Sequence, residues 1–495
     1  MPPCFGSATP ASPRLRPRIY RASCTASPYK AYFGPIGNEL AMIPARKTKI
    51  PGPRSSALSA ELRRCESRNV TFLSSDFPIF WERAEGVNVW DADGNSYLDL
   101  TAGFGVAALG YSAPGIAAAG SSQLSRLPLG MGDVHPSEPK VRLLEALSRL
   151  TFEAWGRGEA KSVLGCSGSD AVEAAMKTAY LVTGRPQLIA FQGSYHGLAY
   201  GAMEATQMTP FRKPFEEQMV GRVRFVPFPN CWKCPWGKGE RSPEECDAGC
   251  RAALEAEIET AFASKLVGAI LVEPMLGRGG MIPPPGWFLP LLRQAADAQG
   301  ALLILDEIFT GFFRTGPRFA CERWGVVPDL LCVGKPLGAG FPISACIGAA
   351  AVMDAWPESD GEALHTSTFL GSPLGCRMAC AFLEELEERR SELAIEEKGR
   401  QLRDGLNGLT SPATVLRKVR GSGLFVGVEV TDEGGAPNPA LAGRLITALL
   451  RAGVILLAGG PDRNVLSFTP PLVITPEELD WSLATLRSVL ERLPA

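Results

Sequence analysis

Two apolar stretches in the middle of the chain constrain its fold more than any other feature. Ala301–Leu305 is an apolar run followed directly by Asp306, and Asp329–Val333 is a similar run followed by Gly334 and Lys335. Strands that are apolar on both faces occur inside parallel sheets, and open α/β sheets bind ligands beyond the carboxyl ends of their strands. The sequence therefore predicts that a carboxylate and an amine face one crevice.

The residues that follow Lys335 favour chemistry at its amine. Pro336 ends the strand, and Gly338 and Gly340 add no side-chain bulk. An accessible, partly desolvated lysine is what Schiff-base formation requires. The alternative is that Asp306 and Lys335 are ordinary charged residues where two strands leave the sheet.

Two longer motifs around these residues resemble a known family. DEIFTGFFRTG (306–316) and VGKPLGAGFPISA (333–345) are similar to the signature of class III aminotransferases, which are fold-type I pyridoxal-phosphate enzymes of the 4-aminobutyrate and ornithine aminotransferase kind. The resemblance extends from about Thr71 to the C-terminus. It implies pyridoxal 5'-phosphate as cofactor, a Schiff base at Lys335 and a contact between Asp306 and the pyridine nitrogen. A carboxylate there keeps the nitrogen protonated, so that the ring can accept electrons.

A turn of small residues is the candidate phosphate site. The segment GCSGSDAVE (165–173) follows a strand and begins a helix. Backbone N–H groups and the helix dipole at such a turn can bind phosphate, although most such turns only cap a helix. The resemblance implies that Gly168 and Ser169 contact the cofactor phosphate.

The resemblance also implies contacts with the cofactor ring. Tyr195, in the motif Tyr195-His196-Gly197, is expected to stack on one face of the ring, and Ile308 is expected to press on the other. His196 is a further candidate contact, with a purely structural hydrogen bond as its alternative.

One motif predicts a shared site. HTSTFLGSP (365–373) is similar to the family segment whose threonine, here Thr368, reaches the phosphate in the neighbouring subunit. This implies a homodimer in which each active site is completed by the partner.

Substrate binding is predicted at two arginines. Arg420, in VRGSGLFVGVEV (419–430), matches the arginine that holds the substrate carboxylate through a two-pronged ion pair. Arg278 departs from the commonest pattern. Many ω-aminotransferases have a glutamate at this position, and that glutamate neutralises the arginine that corresponds to Arg420. Phe309 also departs, because the family often has a glutamine there near the cofactor's phenolic oxygen.

The fold class that these patterns predict is α/β, with a seven-stranded, mostly parallel sheet in a three-layer large domain and a smaller α/β domain. The expected organisation is a tail to residue 58, an N-terminal segment at 59–130 that packs on the small domain, a large pyridoxal-phosphate domain at 131–376 and a small domain at 377–495. Pro78–Leu100 is expected to form a β-meander around the turn Asp93-Gly94-Asn95. The seven predicted strands are Ser162–Cys166, Gln187–Phe191, Val223–Phe228, Val267–Val272, Ala301–Leu305, Asp329–Val333 and Ile343–Ile347.

Composition excludes several other classes of protein. The chain has 495 residues and a formal net charge of −2, so it lacks the basic surface of a nucleic-acid or membrane-surface binder. No apolar run approaches the roughly 20 residues that cross a bilayer. Residues 1–58 are rich in proline and arginine and read as a disordered tail, a transit peptide or an over-extended start before Met42. We expect a cytoplasmic protein, or an organellar one if the tail is a transit peptide.

Four of the thirteen cysteines lie close together in the sequence. Cys231, Cys234, Cys246 and Cys250 have a spacing near that of structural zinc sites, but the second pair is separated by three residues. Zinc, a disulfide and an ordered loop with neither are the alternatives.

The function that the resemblance implies is transfer of an amino group from an amino acid to a 2-oxo acid by a ping-pong mechanism. The amino acid could be an ω-amino acid such as 4-aminobutyrate. The alternative within the same fold is an amino-acid racemase or epimerase, which would use the same lysine.

Overall fold

The computed structural model describes residues 43–246, 248–411 and 414–493. This part of the chain contains fifteen β-strands and fourteen α-helices. The strands are β1 Trp81–Glu85, β2 Asn88–Asp91, β3 Ser96–Asp99, β4 Ala160–Gly165, β5 Gln187–Phe191, β6 Val223–Val226, β7 Val267–Val272, β8 Leu302–Asp306, β9 Leu330–Val333, β10 Ser344–Ala349, β11 Leu416–Ser422, β12 Phe425–Val430, β13 Val454–Ile455, β14 Leu457–Gly459 and β15 Val465–Phe468. The helices are α1 Pro53–Cys65, α2 Ala102–Gly105, α3 Pro114–Arg126, α4 Glu138–Ser148, α5 Gly168–Thr183, α6 Tyr200–Ala205, α7 Thr209–Arg212, α8 Ala248–Phe262, α9 Phe288–Gln299, α10 Ala350–Met353, α11 Pro373–Arg389, α12 Ile395–Asn407, α13 Pro439–Arg451 and α14 Pro476–Arg492.

The central sheet has seven strands in the order β4-β10-β9-β8-β7-β5-β6. Strand β10 runs antiparallel to both of its neighbours, and the other strands are parallel to one another. The prediction of a seven-stranded, mostly parallel sheet is confirmed, with strand ends that differ by one or two residues.

Helices cover both faces of this sheet because its strands are apolar on both faces. In β8, Leu302 and Ile304 pack in a cluster with the apolar side of α5. Leu303 and Leu305, which point the other way, belong to the largest core cluster of the described residues. Alternate side chains of one strand therefore serve two different cores, which makes the three layers that the sequence predicts.

Two four-stranded sheets accompany the central one. The predicted β-meander forms as β1-β2-β3, and Gly94 takes the positive φ of 80° that its turn requires. Strand β13 pairs in parallel with β3, so this sheet contains strands from both ends of the described chain. The other sheet has the order β11-β12-β15-β14.

Two details differ from the sequence-based expectations. Residues 1–42 of the predicted tail lie outside the described residues, but α1 already begins at Pro53, where Asp93 accepts hydrogen bonds from the backbone N–H groups of Arg54 and Ser55. The charged stretch that begins at Arg377 is predicted from the sequence to be one helix, but it is divided between α11 and α12, because Ala394 takes a positive φ of 45° between them. The domain limits at 130 and 376 stay a prediction, and α11 spans the second of them.

None of the described helices is both long and apolar enough to cross a lipid bilayer.

Candidate active site

The register of the central sheet places the predicted acid and amine at the same edge. Asp306 ends β8 and pairs with Cys332 of β9, and Lys335 follows three residues after Cys332. Both side chains border one cavity of about 200 Å³, and larger clefts elsewhere are lined by other residues. The residues around this cavity are Gly168, Ser169, Tyr195, His196, Gly197, Glu273, Arg278, Asp306, Ile308, Phe309 and Lys335. Eight of the ten predicted site residues are therefore brought together, and Thr368 and Arg420 are not among the described residues that line the cavity.

The carboxylate of Asp306 is held from two sides. Its Oδ2 lies 2.7 Å from Nδ1 of His196, and its Oδ1 accepts a hydrogen bond of 3.1 Å from the backbone N–H of Ile308. Both Asp306 and His196 are buried. The adjacent Glu307 points away from the cavity, where it accepts hydrogen bonds from Thr310 and from the backbone. The two acids that end this strand thus have different environments.

Lys335 lies at the start of a short 3-10 turn, Lys335–Gly338, and has a positive φ of 24°. A non-glycine residue rarely adopts this backbone conformation, so the surrounding structure must hold it there. Its Nζ lies 4.2 Å from the centre of the Phe309 ring. Burial lowers the pKa of the Lys335 amine, against the opposing attraction of Asp306 and Glu273. A larger share of the amine is therefore neutral, and so nucleophilic, at a given pH.

Glu273 is a further acid at this edge, which sequence reasoning did not identify. It follows β7, in which Val272 pairs with Leu305, so it lies level with Asp306 on the neighbouring strand. Its carboxylate accepts hydrogen bonds from the backbone N–H groups of Tyr195 at 2.9 Å and Gly277 at 3.0 Å. Burial raises the pKa of Glu273 to about 7. The rule that drew attention to Asp306, an acid directly after a buried strand, also applies to Glu273.

The turn before α5 is a helix cap, and its small residues border the cavity. Ser167 and Asp170 form a capping box, and the carboxylate of Asp170 also accepts hydrogen bonds from the backbone N–H groups of Cys166 and Ser167. A Cβ on Gly168 would lie 2.9 Å from Cδ1 of Ile308, so that a side chain at this position would displace Ile308. The cap therefore shapes the turn by which Gly168 borders the cavity.

Aromatic rings and a cation form one wall of the cavity. The guanidinium of Arg278 lies 4.7 Å from the centre of the Tyr195 ring and 4.9 Å from that of Phe211. Arg278 is exposed, whereas burial raises the pKa of the Tyr195 hydroxyl even though Arg278 opposes this rise. Arg278, which stands where many ω-aminotransferases have glutamate, thus places a positive charge at the cavity itself.

Arg420 has a carboxylate partner that the sequence analysis did not foresee. Its Nη1 lies 2.7 Å from Oε1 of Glu429 on the paired strand β12, and its Nε donates to the carbonyl of Gly280 at 2.8 Å. Only 2% of its side chain is exposed. Position 278 is not the glutamate that pairs with this arginine in many ω-aminotransferases, but Glu429 compensates the charge of Arg420 from another element.

Thr368 is exposed and lies in a segment whose apolar residues are also exposed. Leu364 is 69% exposed and Phe369 is 60% exposed. Large apolar side chains at such exposure often mark a surface that another protein covers.

The cavity suits the expected cofactor, pyridoxal phosphate. The buried Nε2 of His196 has no hydrogen-bond partner among the described residues, so a polar group is needed beside it. A Cβ at Gly168 or Gly197 would meet neighbouring side chains, so both glycines keep the backbone close to the cavity. A carboxylate, an amine of lowered pKa and a glycine-lined helix start are the partners that a protonated ring, an aldehyde and a phosphate require.

Comparison with known proteins agrees with this geometry. The family model for class-III aminotransferases matches residues 72–490. The chain is 35% identical to the acetylornithine aminotransferase of Methanopyrus kandleri over 84% of this chain and 95% of that protein. It is 33% identical to the 4-aminobutyrate aminotransferase of Mycobacterium leprae over 90% and 97%. It is also 31% identical to an alanine/serine racemase of Pyrococcus horikoshii over 90% and 92%.

Solved structures show the same likeness. An amine transaminase from an uncultivated Pseudomonas species, determined with pyridoxal phosphate bound, matches with a TM-score of 0.78 and 27% identity, over 87% of this chain and 99% of that one. An (S)-enantioselective omega-transaminase from Thermomicrobium roseum matches with a TM-score of 0.79 and 27% identity, over 88% and 98%. The chain therefore belongs to the class III aminotransferases, the pyridoxal-phosphate-dependent transaminases of fold-type I.

Proposed function

We propose that this enzyme transfers an amino group from a carboxylate-bearing amino acid to a 2-oxo acid at the cavity between β8 and β9. The observation that carries this proposal is the placement of Lys335 and Asp306 in one cavity, with Arg278 at its wall. The ping-pong order follows from a single cavity that has to take both substrates in turn.

The cofactor, when bound, supplies an electron-accepting ring that stabilises negative charge at the substrate Cα. Asp306 is the residue that would hold the proton at the ring nitrogen. Its hydrogen bonds from His196 and from the Ile308 backbone fix the carboxylate in one orientation. Gly168 and Ser169 would hold the phosphate, and Tyr195 and Ile308 would hold the ring.

Lys335 is the residue that would move the proton. Its amine, with a pKa lowered by burial, would take the proton from the substrate Cα and hold it for return. Glu273 and Asp306 keep negative charge close to this amine, so that its protonated form is not expelled during the transfer.

Arg278 and Arg420 are the candidates for holding the substrate carboxylate. Arg278 borders the cavity, whereas Arg420 lies behind Gly280 and can take a substrate carboxylate only in exchange for Glu429 or beside it. We infer donors such as 4-aminobutyrate or another amino acid, because relatives of this chain have those names, and 2-oxoglutarate or pyruvate as acceptor.

Replacing the lysine tests the proposal. Lys335→Ala is expected to abolish transamination and the borohydride-sensitive visible absorbance of the purified enzyme, because no other described amine borders the cavity. Lys161→Ala changes an exposed lysine that pairs with Asp354 and is expected to leave both unchanged. Turnover retained in Lys335→Ala would refute the assignment.

Racemisation is the second candidate, because one relative is named as an alanine/serine racemase. Both reactions need a base at Lys335, but only transamination consumes a 2-oxo acid. Incubation of single enantiomers of alanine and serine, and of achiral 4-aminobutyrate, with 2-oxoglutarate separates the two. Inversion of an enantiomer without glutamate formation would favour the racemase.

We further propose a cytoplasmic location. No disulfide joins the cysteines that the structure describes, which is typical of a reducing compartment.

A further inference from the structure

The four clustered cysteines belong to a loop that the transamination site does not use. This loop, residues 229–250, is here called the four-cysteine loop; it connects β6 to the first turn of α8. Cys231 begins a 3-10 turn, Cys231–Lys233, and Cys250 lies in the first turn of α8. In sequence the first and last thiols are 19 positions apart.

The fold nevertheless brings all four thiols into one cluster. The sulfur atoms of Cys234 and Cys250 are 3.7 Å apart. The thiol of Cys246 contacts those of both Cys231 and Cys250. Cys231 is 3% exposed and Cys250 is 2% exposed, and no disulfide joins the four cysteines. The thiols thus share one largely buried volume.

The 3.7 Å separation is the spacing of two ligands on one zinc ion. Zinc–thiolate bonds of about 2.3 Å in a tetrahedron give sulfur–sulfur distances of about 3.8 Å. Within residues 43–246, 248–411 and 414–493, no group of three or more histidine, cysteine or acidic side chains is already arranged as a metal site. The remaining thiols therefore have to move inward when a metal binds. Cys246 lies outside regular structure, so its side chain is not fixed by a helix or a strand.

The first cysteine pair lies on a rigid turn, as a two-residue chelate requires. The side-chain oxygen of Asn230 accepts hydrogen bonds from the backbone N–H groups of Trp232 and Lys233, which closes the turn between Cys231 and Cys234. Trp236 in the middle of the loop packs against the core, whereas a Cβ on Gly237 or Gly239 would touch nothing within 4 Å. Residues 234–246 form turns and bends but no helix or strand, and a segment of this length needs another source of order.

We propose that Cys231, Cys234, Cys246 and Cys250 bind one zinc ion in a structural site. The four thiol protons leave to solvent as four zinc–sulfur bonds form, and no oxidation or reduction is involved. The site is closed, because four protein ligands leave no position for substrate, so the metal orders the loop and takes no part in transamination.

The loop also touches the residues around Arg420. Lys418 donates a hydrogen bond to the carbonyl of Trp232 at 3.1 Å, and the Arg420 guanidinium lies 5.7 Å from the centre of the Trp232 ring. Lys418 also lies 3.3 Å from Glu240 of the loop. Zinc would therefore hold in place a turn against which the proposed substrate arginine packs.

Metal analysis of the intact holoenzyme tests the proposal. Enzyme purified without chelators is expected to contain about one zinc ion per chain, with X-ray absorption showing four sulfur ligands at about 2.3 Å. Titration of the thiols with p-hydroxymercuribenzoate should release the zinc. The double variant Cys234→Ser/Cys250→Ser should lose it, and Cys65→Ser, which changes an exposed cysteine in α1, should keep it.

Several results would overturn the site. They are wild-type enzyme that stays metal-free after exposure to zinc chloride, iron instead of zinc, retention of zinc in the double variant, and an intact mass that shows a Cys234–Cys250 disulfide. The wild-type measurement does not depend on whether a variant folds.

The effect on substrate binding is tested separately and rests on the function proposed for Arg420. Zinc loss in the double variant should raise KM for the amino donor more than it lowers kcat. An unchanged KM in a zinc-free, folded variant would refute the link to Arg420, while the metal content would still establish the site.

Discussion

A positive charge at position 278 gives the cavity a preference for substrates that carry a carboxylate, and a glutamate at this position would reverse that preference. The Arg278 guanidinium lies over Tyr195 and Phe211, where a substrate carboxylate can reach it. Charge-assisted hydrogen bonds of this kind contribute about 1.5–3 kcal/mol, which is roughly a 10- to 150-fold change in kcat/KM. We expect Arg278→Glu to lower kcat/KM for 4-aminobutyrate by about this factor and to spare an amine without a carboxylate, such as butylamine. Steady-state kinetics on the two substrates measures the ratio.

The control for this variant is Arg222→Glu, which makes the same charge change at an exposed position. Its ratio of the two specificity constants should equal that of the wild type. If Arg278→Glu leaves the ratio unchanged as well, Arg278 is only a surface charge.

Glu307 makes the stability of the protein depend on pH although it points away from the cavity. Burial raises the pKa of Glu307 from 4.5 to about 7, so the folded state binds a proton more tightly than the unfolded state does. The stability from this proton is fully present below about pH 4.5 and is lost as the pH rises through about 7. The loss is on the order of 3 kcal/mol. We expect Glu307→Gln to flatten the fall in urea midpoint of the holoenzyme between pH 5 and pH 8.

Glu392→Gln removes the charge of an exposed glutamate and serves as the matched control. It should follow the wild-type pH profile. Equal slopes in wild type and Glu307→Gln would show that Glu307 has a similar pKa in the folded and unfolded chain. The same burial raises the pKa of Glu273 to about 7, but its contribution cancels in this comparison.

Site residues could be predicted where one strand end determined them. Asp306 and Lys335 were predicted in this way, and Glu273 follows the same rule without having been identified. Glu429 could not be predicted as the partner of Arg420. Their pairing depends on the register between β11 and β12, in which Arg420 lies opposite Gly427. A single sequence does not specify that register, nor that Arg278 lies over Tyr195.

At the scale of elements, the central sheet was predictable because apolar runs on both faces identify buried parallel strands. The break at Ala394 was not, because α11 and α12 read as one charged helical stretch and alanine gives no sign of a positive φ. Helix α1 was missed for the opposite reason: its first turn is held by Asp93, about 40 positions away in the sequence. Local patterns predict elements well when the forces that form them are also local.

The cap of α5 is a local element that should act on the cofactor. Asp170→Ala removes the acceptor for the backbone N–H groups of Cys166 and Ser167, which is worth about 1–2 kcal/mol. We expect this variant to melt at a lower temperature and to bind pyridoxal phosphate at least several-fold more weakly. Fluorescence titration of the apoenzyme measures the affinity.

Glu478→Ala is the matched control, because Glu478 and Thr475 form the same capping box at α14, outside the residues that line the cavity. It should lower the melting temperature without changing cofactor affinity. Equal losses of affinity in both variants would mean that Asp170 acts only through overall stability.

On the scale of the whole molecule, the site of one chain does not include every residue that the family resemblance assigns to it. Thr368 is exposed, and Phe104, Leu364 and Phe369 are large exposed apolar side chains. A second copy of the chain that covers such side chains would bury apolar surface and could bring its own Thr368 to the phosphate. We therefore propose a homodimer with shared sites, because this segment is exposed in a single chain.

Mixed dimers test whether Thr368 acts in the partner's site. Thr368→Asp should weaken activity because its carboxylate repels the cofactor phosphate, and Lys335→Ala is inactive in its own site. If Thr368 acts across the interface, a dimer of one chain of each kind has one site with both lesions and one site with neither. Random mixing of equal amounts then makes about half of the dimers mixed and restores about a quarter of wild-type activity. If Thr368 acts within its own chain, every site carries a lesion and activity stays at the average of the two variants.

Ser359→Asp is the control, because it makes the same kind of change at an exposed position nearby in the sequence. It should be as active as the wild type. A fully active monomer in sedimentation would contradict the homodimer proposal.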